Sequence, residues 1–272
     1  MKLELCVFNL IDSPLSQYAS DVTSQSGEDG IIAHIAQALD LPKYCVEFGA
    51  CDGRHHSNCY NLVANCGWSG ILIESDPQKY QELARTYRDN PRAVTVNRLV
   101  DVEGANRIDN ILEEFSAPQE IGVMSIDIDG NDYYVWESLT RHTPELIVIE
   151  FNVTIPNDVL FVQDKSFEVN QGCSLLALVM LGKDKGYELA VCTTWNAIFV
   201  KRDKLERLGV KDNFIMNLYK PLHDGRIFQG YDGSIHVAGM TKLVWQGGTP
   251  LTSEDFQVLP KMKRVWRDAQ KK

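Results

Sequence analysis

The chain has 272 residues, 44% of them hydrophobic and 24% charged, the profile of a globular protein long enough for one large core or two small ones. A formal net charge of -10 disfavours phosphate backbones, so no nucleic-acid partner is expected. No apolar run reaches the ~18–20 residues of a membrane helix, and MKLELCVFNLIDSP carries Glu4 and Asp12 where a leader would be apolar.

Residues 1–23 show no period and stand as an N-terminal segment. SQSGEDG (24–30) opens a helix, with Ser26 as cap, Asp29 as its capping-box partner and Ile31, Ile32, Ile35 and Leu39 on one face. KYCVEF (43–48) is a short strand running into a glycine turn. SNCYNLVANCG (57–67) reads as a helix closed by Gly67, GILIE (70–74) as a strand, and PQKYQELARTYRDN (77–90) as a helix with Pro77 in its first turn. AVTVN (93–97) is strand-like, and RIDNILEEF (107–115) has helical spacing. VMSIDI (123–128), NDYYVWESL (131–139) and ELIVIEF (145–151) read as strand, helix and strand. Then come a helix over 174–186 and two strands, YELAVC and AIFVKR, whose short TTWN link makes them an antiparallel pair. The strands up to residue 151 are apolar runs, not alternations, as expected of a parallel sheet covered by helices on both faces. We therefore place one domain over 24–202. Residues 203–272 form a C-terminal extension packing on it, with Gly-rich pieces and a basic tail. Seven cysteines, an odd number without C-x-x-C, read as reduced thiols of a cytoplasmic protein.

The stretch VEFGACDG (46–53) sits where open parallel sheets bind ligands, at the carboxyl end of a strand. It is not a dinucleotide fingerprint, because Cys51 stands where the middle glycine belongs, and the chain has no G-x-x-x-x-G-K-[ST]. Glu47 and Asp52 would repel a pyrophosphate. S-adenosylmethionine reverses that logic: it carries a sulfonium, an ammonium and one carboxylate, so acids beside the turn suit it. An acid that grips a ribose should end the next strand about 20 residues on; Glu74 lies 21 residues after Gly53.

SQSGEDG, VEFGACDG with SNCYNL, GWSGILIESDPQKY (67–80), MSIDIDGNDYYVW (124–136) and ELIVIEFN (145–152) together resemble the FkbM-type methyltransferases, over about residues 20–202. These are class I S-adenosylmethionine-dependent enzymes that mostly O-methylate sugars and natural products. The resemblance implies a Rossmann-like α/β fold, a seven-stranded mostly parallel sheet of order 3-2-1-4-5-7-6 with helices on both faces. It implies that Glu47, Gly49 and Gly53, with Asp52 beside them, form the cofactor turn and that Glu74 holds the ribose. Asp101 would meet the adenine edge, and Asn58 with the SQSGED segment would close over the methionine end.

SIDIDGND (125–132) is the richest acid cluster. It is no calcium loop, since Gly130 comes two positions early and Ser138 stands where the bidentate Glu belongs. If its strand neighbours the next one, Asp127, Asp129, Glu150 and Asn152 converge at one sheet edge, a set of hard oxygen ligands that suits Mg²⁺, Mn²⁺ or Ca²⁺. The layout is similar to that of metal-dependent small-molecule O-methyltransferases, although Phe151 separates the last acid from the Asn. The alternative is that these acids meet the cofactor's ammonium or the acceptor, Asp127 among them. Asp127, Asp129, His55 or His56 could take the acceptor's proton. His142, His223 and His236 have no supporting pattern, and Tyr133, Tyr134 and Trp136 at helical spacing read as core packing. The irregular link 152–172 has the position and length of a substrate lid. The expected activity is O-methylation of a carbohydrate or small natural-product hydroxyl. The alternatives are metal-free N-methylation of an amino sugar or similar amine, and a non-catalytic binding protein on the same fold. Acceptor identity and oligomeric state are not written in the sequence.

Overall fold

Five apolar runs form five parallel strands: β1 (Tyr44–Phe48), β2 (Ser69–Glu74), β3 (Ala93–Asn97), β4 (Val123–Ile126) and β5 (Leu146–Glu150). The computed structural model describes residues 13–220, 225–239, 241–243 and 248–265. Residues 1–12, His223 and the tail from 266 onward, on which sequence readings fell, lie outside the described residues. A hairpin of β6 (Tyr187–Cys192) and β7 (Asn196–Lys201) completes the sheet, β7 lying antiparallel to both β5 and β6. The order is β3-β2-β1-β4-β5-β7-β6, as expected.

Successive residues along each strand go to opposite faces. Val46, Phe48, Ile71, Ile73, Ile147 and Ile149 face α3 (Ile108–Glu114), α4 (Asp132–Ser138) and α5 (Leu175–Asp184). Cys45, Leu72, Leu146 and Val148 face α1 (Glu28–Leu39) and α2 (Pro77–Thr86). Both faces are covered, so the central strands are apolar without alternation; β3, at the sheet edge, exposes Val94 and Asn97. Among the described residues no helix is long and apolar enough to cross a membrane.

Two local expectations need correction. Residues 57–67 contain only one wide turn, Asn61–Asn65, because Ser57 and the Asn58 backbone are committed to Glu47. The cap of α1 is Gly27 (φ 92°), not Ser26. Capping is instead exchanged between Ser24 and Asp29: the Asp29 N–H donates to Ser24 Oγ, and Asp29 Oδ2 accepts from the backbones of Val22, Thr23 and Ser24, each at 2.8 Å. One carboxylate thus folds the segment ahead of the helix.

After β7, a 3₁₀ turn and the short α6 (Ile215–Leu218) pack on the body, with Ile215, Leu218 and Tyr219 joining the core. Beyond them lie two small two-stranded sheets, β8 (Gly225–Gln229) with β9 (Ile235–Gly239) and β10 (Lys242–Leu243) with β11 (Thr249–Pro250). The six described cysteines are free thiols.

Candidate functional site

Strand order reverses between β1 and β4, and a cavity of about 420 Å³ opens there beyond the carboxyl ends of β1, β2, β4 and β5. Gly49 ends β1 at φ 75°, and a Cβ on it would stand 1.6 Å from the carbonyl oxygen of Asp127. Only glycine lets the two strands end so close together. Gly53, also at positive φ, serves packing: its missing Cβ leaves room for Leu83 and Tyr87, and the Tyr87 hydroxyl donates to its carbonyl.

Glu47 is buried at the end of β1. Its Oε2 accepts from Ser57 Oγ at 2.5 Å and its Oε1 from the Asn58 N–H at 2.7 Å. Burial pushes its carboxyl up to about 7, against the pull of those donors. The Asn58 amide donates to Ser125 Oγ, joining the turn to β4. Glu74 is buried at the end of β2 and is held from two sides: Oε2 accepts from the Cys51 N–H and Oε1 from the Asp76 N–H, both at 2.8 Å. The first contact explains why Cys51 tolerates φ 51°.

At the other end of the cavity, Asp127, Asp129 and Glu150 come together with ligand oxygens within 4.8 Å of one another. Burial, then Asp132, Asp129, Glu47 and Glu28, push Asp127 up to about 8; burial and the Asp127, Asp132 and Asp129 charges raise Glu150 well above the usual range. The bases lining the cavity, Lys79 and Arg98, come from α2 and the end of β3, on the Glu74 side. His55 and His56 line the mouth with rings stacked at 3.7 Å, and burial plus its neighbour's charge lower His56. Of the five described non-glycine residues with left-handed φ, three (Cys51, His56 and Asp129) line this cavity. Strain of this kind, about 1–3 kcal/mol per residue, gathers where geometry is prescribed by function.

The structure thus gathers Glu47, Gly49, Asn58, Glu74, Asp127, Asp129, Glu150, His55 and His56 around one space. Four expected residues stand apart from it. Asp52 uses Oδ1 on the N–H groups of Arg54 and His55. Gly53 packs behind the turn. Asp101 accepts from the Val102 N–H, while Leu99 and Val100 line the wall instead. Asn152 is spent on its own loop: Oδ1 accepts from the Thr154 N–H and Oγ1, and Nδ2 donates to the Gln171 carbonyl. His142 is buried beside Asp109, far along the fold, and Trp136 is core. Gln25, in the SQSGED segment, also lines the cavity; sequence reasoning missed Ser125, Arg98 and Phe167, which line it too. Ser125 alone had a signal, as the β4 residue next but one before Asp127.

The arrangement offers oxygen acceptors and raised carboxyls at one end and a clamped carboxylate at the other. It suits a ligand with a hydroxyl pair at the Glu74 end and positive charge at the acid end.

No family model matches the chain, and no curated protein does. Solved structures do. The crystal structure of EvdMO1 matches at 13% identity with a TM-score of 0.41, over 64% of this chain and 40% of that one. A SAM-dependent methyltransferase from Aquifex aeolicus matches at 9% identity and a TM-score of 0.41, over 69% of this chain and 92% of that one. The O-methyltransferase NcsB1 from neocarzinostatin biosynthesis, in complex with S-adenosyl-L-homocysteine and 1,4-dihydroxy-2-naphthoic acid, matches at 13% identity and a TM-score of 0.39, over 63% of this chain and 52% of that one. The chain therefore spans about half or less of the length of EvdMO1 and NcsB1. At these identities the likeness is one of fold.

Proposed function

We propose that this protein is an S-adenosylmethionine-dependent methyltransferase acting on a hydroxyl of a carbohydrate or small natural product. One observation carries the reading. At the switch point of the sheet, a glycine turn opens on a cavity with a clamped, buried carboxylate (Glu74) at one end and a carboxyl cluster at the other. A pyrophosphate would meet repulsion there, whereas a cationic donor relieves the cost of crowded acids.

When bound, the donor supplies a methyl carbon already activated by its sulfonium. The chain's residues hold and align. Glu74 accepts from the ribose hydroxyls through the lone pairs that Cys51 and Asp76 leave free. Glu47, fixed by Ser57 and Asn58, and Asp127 set a negative field for the amino-acid end. The acceptor oxygen must reach the methyl carbon in line with the breaking S–C bond and lose its proton. Asp127, raised to about 8, or a stacked His at the mouth, is placed to take it. Carboxyls here favour a hydroxyl over an amine acceptor, because they would hold an amine as its charged, non-nucleophilic ammonium.

Asp127, Asp129 and Glu150 also fit a hard divalent cation. Three carboxylate oxygens lie within coordinating reach of one centre, and the charges that act most strongly on Glu150 are all carboxylates. A cation held there would supply Lewis acidity to the acceptor oxygen. Asn152 is not in position to join this set.

The test is isothermal calorimetry with S-adenosylmethionine, followed by transfer of radiolabelled methyl to a panel of glycosides and phenols. Binding with transfer supports the reading; no binding at millimolar donor overturns it.

A further inference from the structure

The link between β5 and α5 is irregular in outline but tightly built. Its neck closes at the Val162–Cys173 bridge and the Gln163 N–H to Gly172 carbonyl bond of 3.0 Å. Inside, one buried amide organises the whole loop. Gln163 Oε1 accepts from the Gln171 and Gly172 N–H groups at 2.8 and 2.7 Å, and Nε2 donates to the Val169 carbonyl at 2.7 Å. The loop is docked onto the acid-bearing turn after β4. Tyr134 Oη donates to the Gln163 carbonyl at 2.7 Å, and the Asn170 side-chain amide, turned so that its nitrogen donates, meets the Asp129 carbonyl at 3.2 Å. Gly130 permits the contact, since a Cβ there would come within 3.0 Å of the Val169 carbonyl.

At the tip of this braced loop stands Phe167. It is 52% exposed and yet lines the cavity together with Asp129 and Glu150. A large aromatic left half in water is not filling the core, and a loop pinned by its own buried amide holds it in one place. On the same cavity wall are the Asp129 and Glu150 carboxyl groups, whose oxygens accept hydrogen bonds from hydroxyls. An acceptor without polar edges would leave those groups desolvated and unpaired.

We infer that Phe167 is the platform on which the acceptor's ring lies, and that this ring is a saturated polyhydroxylated one: its apolar C–H face on Phe167, its hydroxyls toward Asp129 and Glu150. The inference rests on the methyltransferase reading above. It makes Phe167 a specificity-determining residue and assigns the loop from Gln163 to Gly172 to the acceptor, not to the donor.

The experiment is saturation-transfer NMR on the full chain saturated with S-adenosylhomocysteine. The probes are methyl β-D-glucopyranoside, methyl α-D-mannopyranoside, methyl α-L-rhamnopyranoside and, as a planar control, catechol. At least one glycoside should show transfer strongest on one ring face. The signal should fall about fivefold or more in Phe167→Ala and stay within about twofold in Phe167→Trp, which keeps an aromatic face. Calorimetric affinity for S-adenosylhomocysteine should change less than about twofold in both variants. The inference is overturned if no glycoside binds, if catechol alone binds, if Phe167→Ala keeps the signal, or if that variant weakens S-adenosylhomocysteine equally. Failure of the wild-type chain to bind S-adenosylhomocysteine overturns the donor reading and this inference with it; the other failures leave the donor reading standing.

Discussion

Replacing Glu74 with Ala tests the donor end of the cavity most directly. The carboxylate is 5% exposed, and two of its roughly four lone-pair sites are taken by the Cys51 and Asp76 N–H groups. Ser75 Oγ lies 3.4 Å from Oε1, and under the proposed function the capacity left on the carboxylate accepts from the two hydroxyls of a ribose. A hydrogen bond to a charged group contributes about 1.5–3 kcal/mol, so losing two costs at least ~3 kcal/mol, or on the order of 100-fold in affinity for S-adenosylhomocysteine. The substitution also strips the partners from two backbone N–H groups, so thermal unfolding has to be measured alongside. The discriminating control is a ligand lacking one ribose hydroxyl. Against wild type it should bind on the order of tenfold more weakly, and against the variant it should lose almost nothing further, because the partner is already gone. Calorimetry on both proteins with both ligands closes the cycle. A folded Glu74→Ala that binds S-adenosylhomocysteine within about threefold of wild type would refute the reasoning.

Gly49→Ala should destabilise the protein by at least ~3 kcal/mol in urea unfolding, since the new Cβ meets a backbone carbonyl and the left-handed φ itself costs about 1–2 kcal/mol; an unchanged midpoint would show that the strand ends can part freely. Stability should also depend on Glu47. Its native value of about 7 lies above the 4.5 of an ordinary glutamate, so between those values the native state holds a proton that the unfolded chain has lost. Stability then falls as pH rises through that window, Glu47 contributing up to ~1.4 kcal/mol per unit, and Asp127, pushed up to about 8, carries a fall of the same sign beyond it. Thermal melts of the ligand-free protein should show this slope, and Glu47→Gln should make it shallower between about 4.5 and 7 while leaving the part due to Asp127. Last, calorimetry with Mn²⁺ should detect binding in the wild type and none in Asp127→Asn with Glu150→Gln; equal binding in both would remove the acid cluster as a metal centre.

The sheet was legible because its cause is local: consecutive apolar residues such as ILI (71–73) and LIVI (146–149) occur in a strand only when both faces are covered. Glu74 was legible from spacing, since a strand end and a turn fix each other's distance. What could not be read are contacts across the fold. Gly53 and Gly49 look alike in sequence, yet one yields to Tyr87 and the other to the backbone of Asp127, just past β4. Asn152 follows β5, next but one after Glu150, but its amide is claimed by Thr154 and Gln171. Phe167 lies in a stretch without period, and its loop is organised by one glutamine amide whose shortest contacts are all to backbone atoms and so leave no residue signature.

Glu28, at the start of α1, reaches across to the β6–β7 hairpin, where its Oε1 accepts from Thr193 Oγ1 and Asn196 Nδ2 while Oε2 takes the Ser26 N–H. The partners lie 165 and 168 residues apart in the chain. During synthesis the segment carrying Gln25 therefore waits, with a buried-to-be carboxylate still in water, until the last strand of the large sheet has slipped between β5 and β6. Closure of a loop that long is slow and entropically costly. The wall of the cavity that forms first in sequence is thus among the last to set in time, and a chain halted before residue 196 carries most of the sheet without a finished pocket.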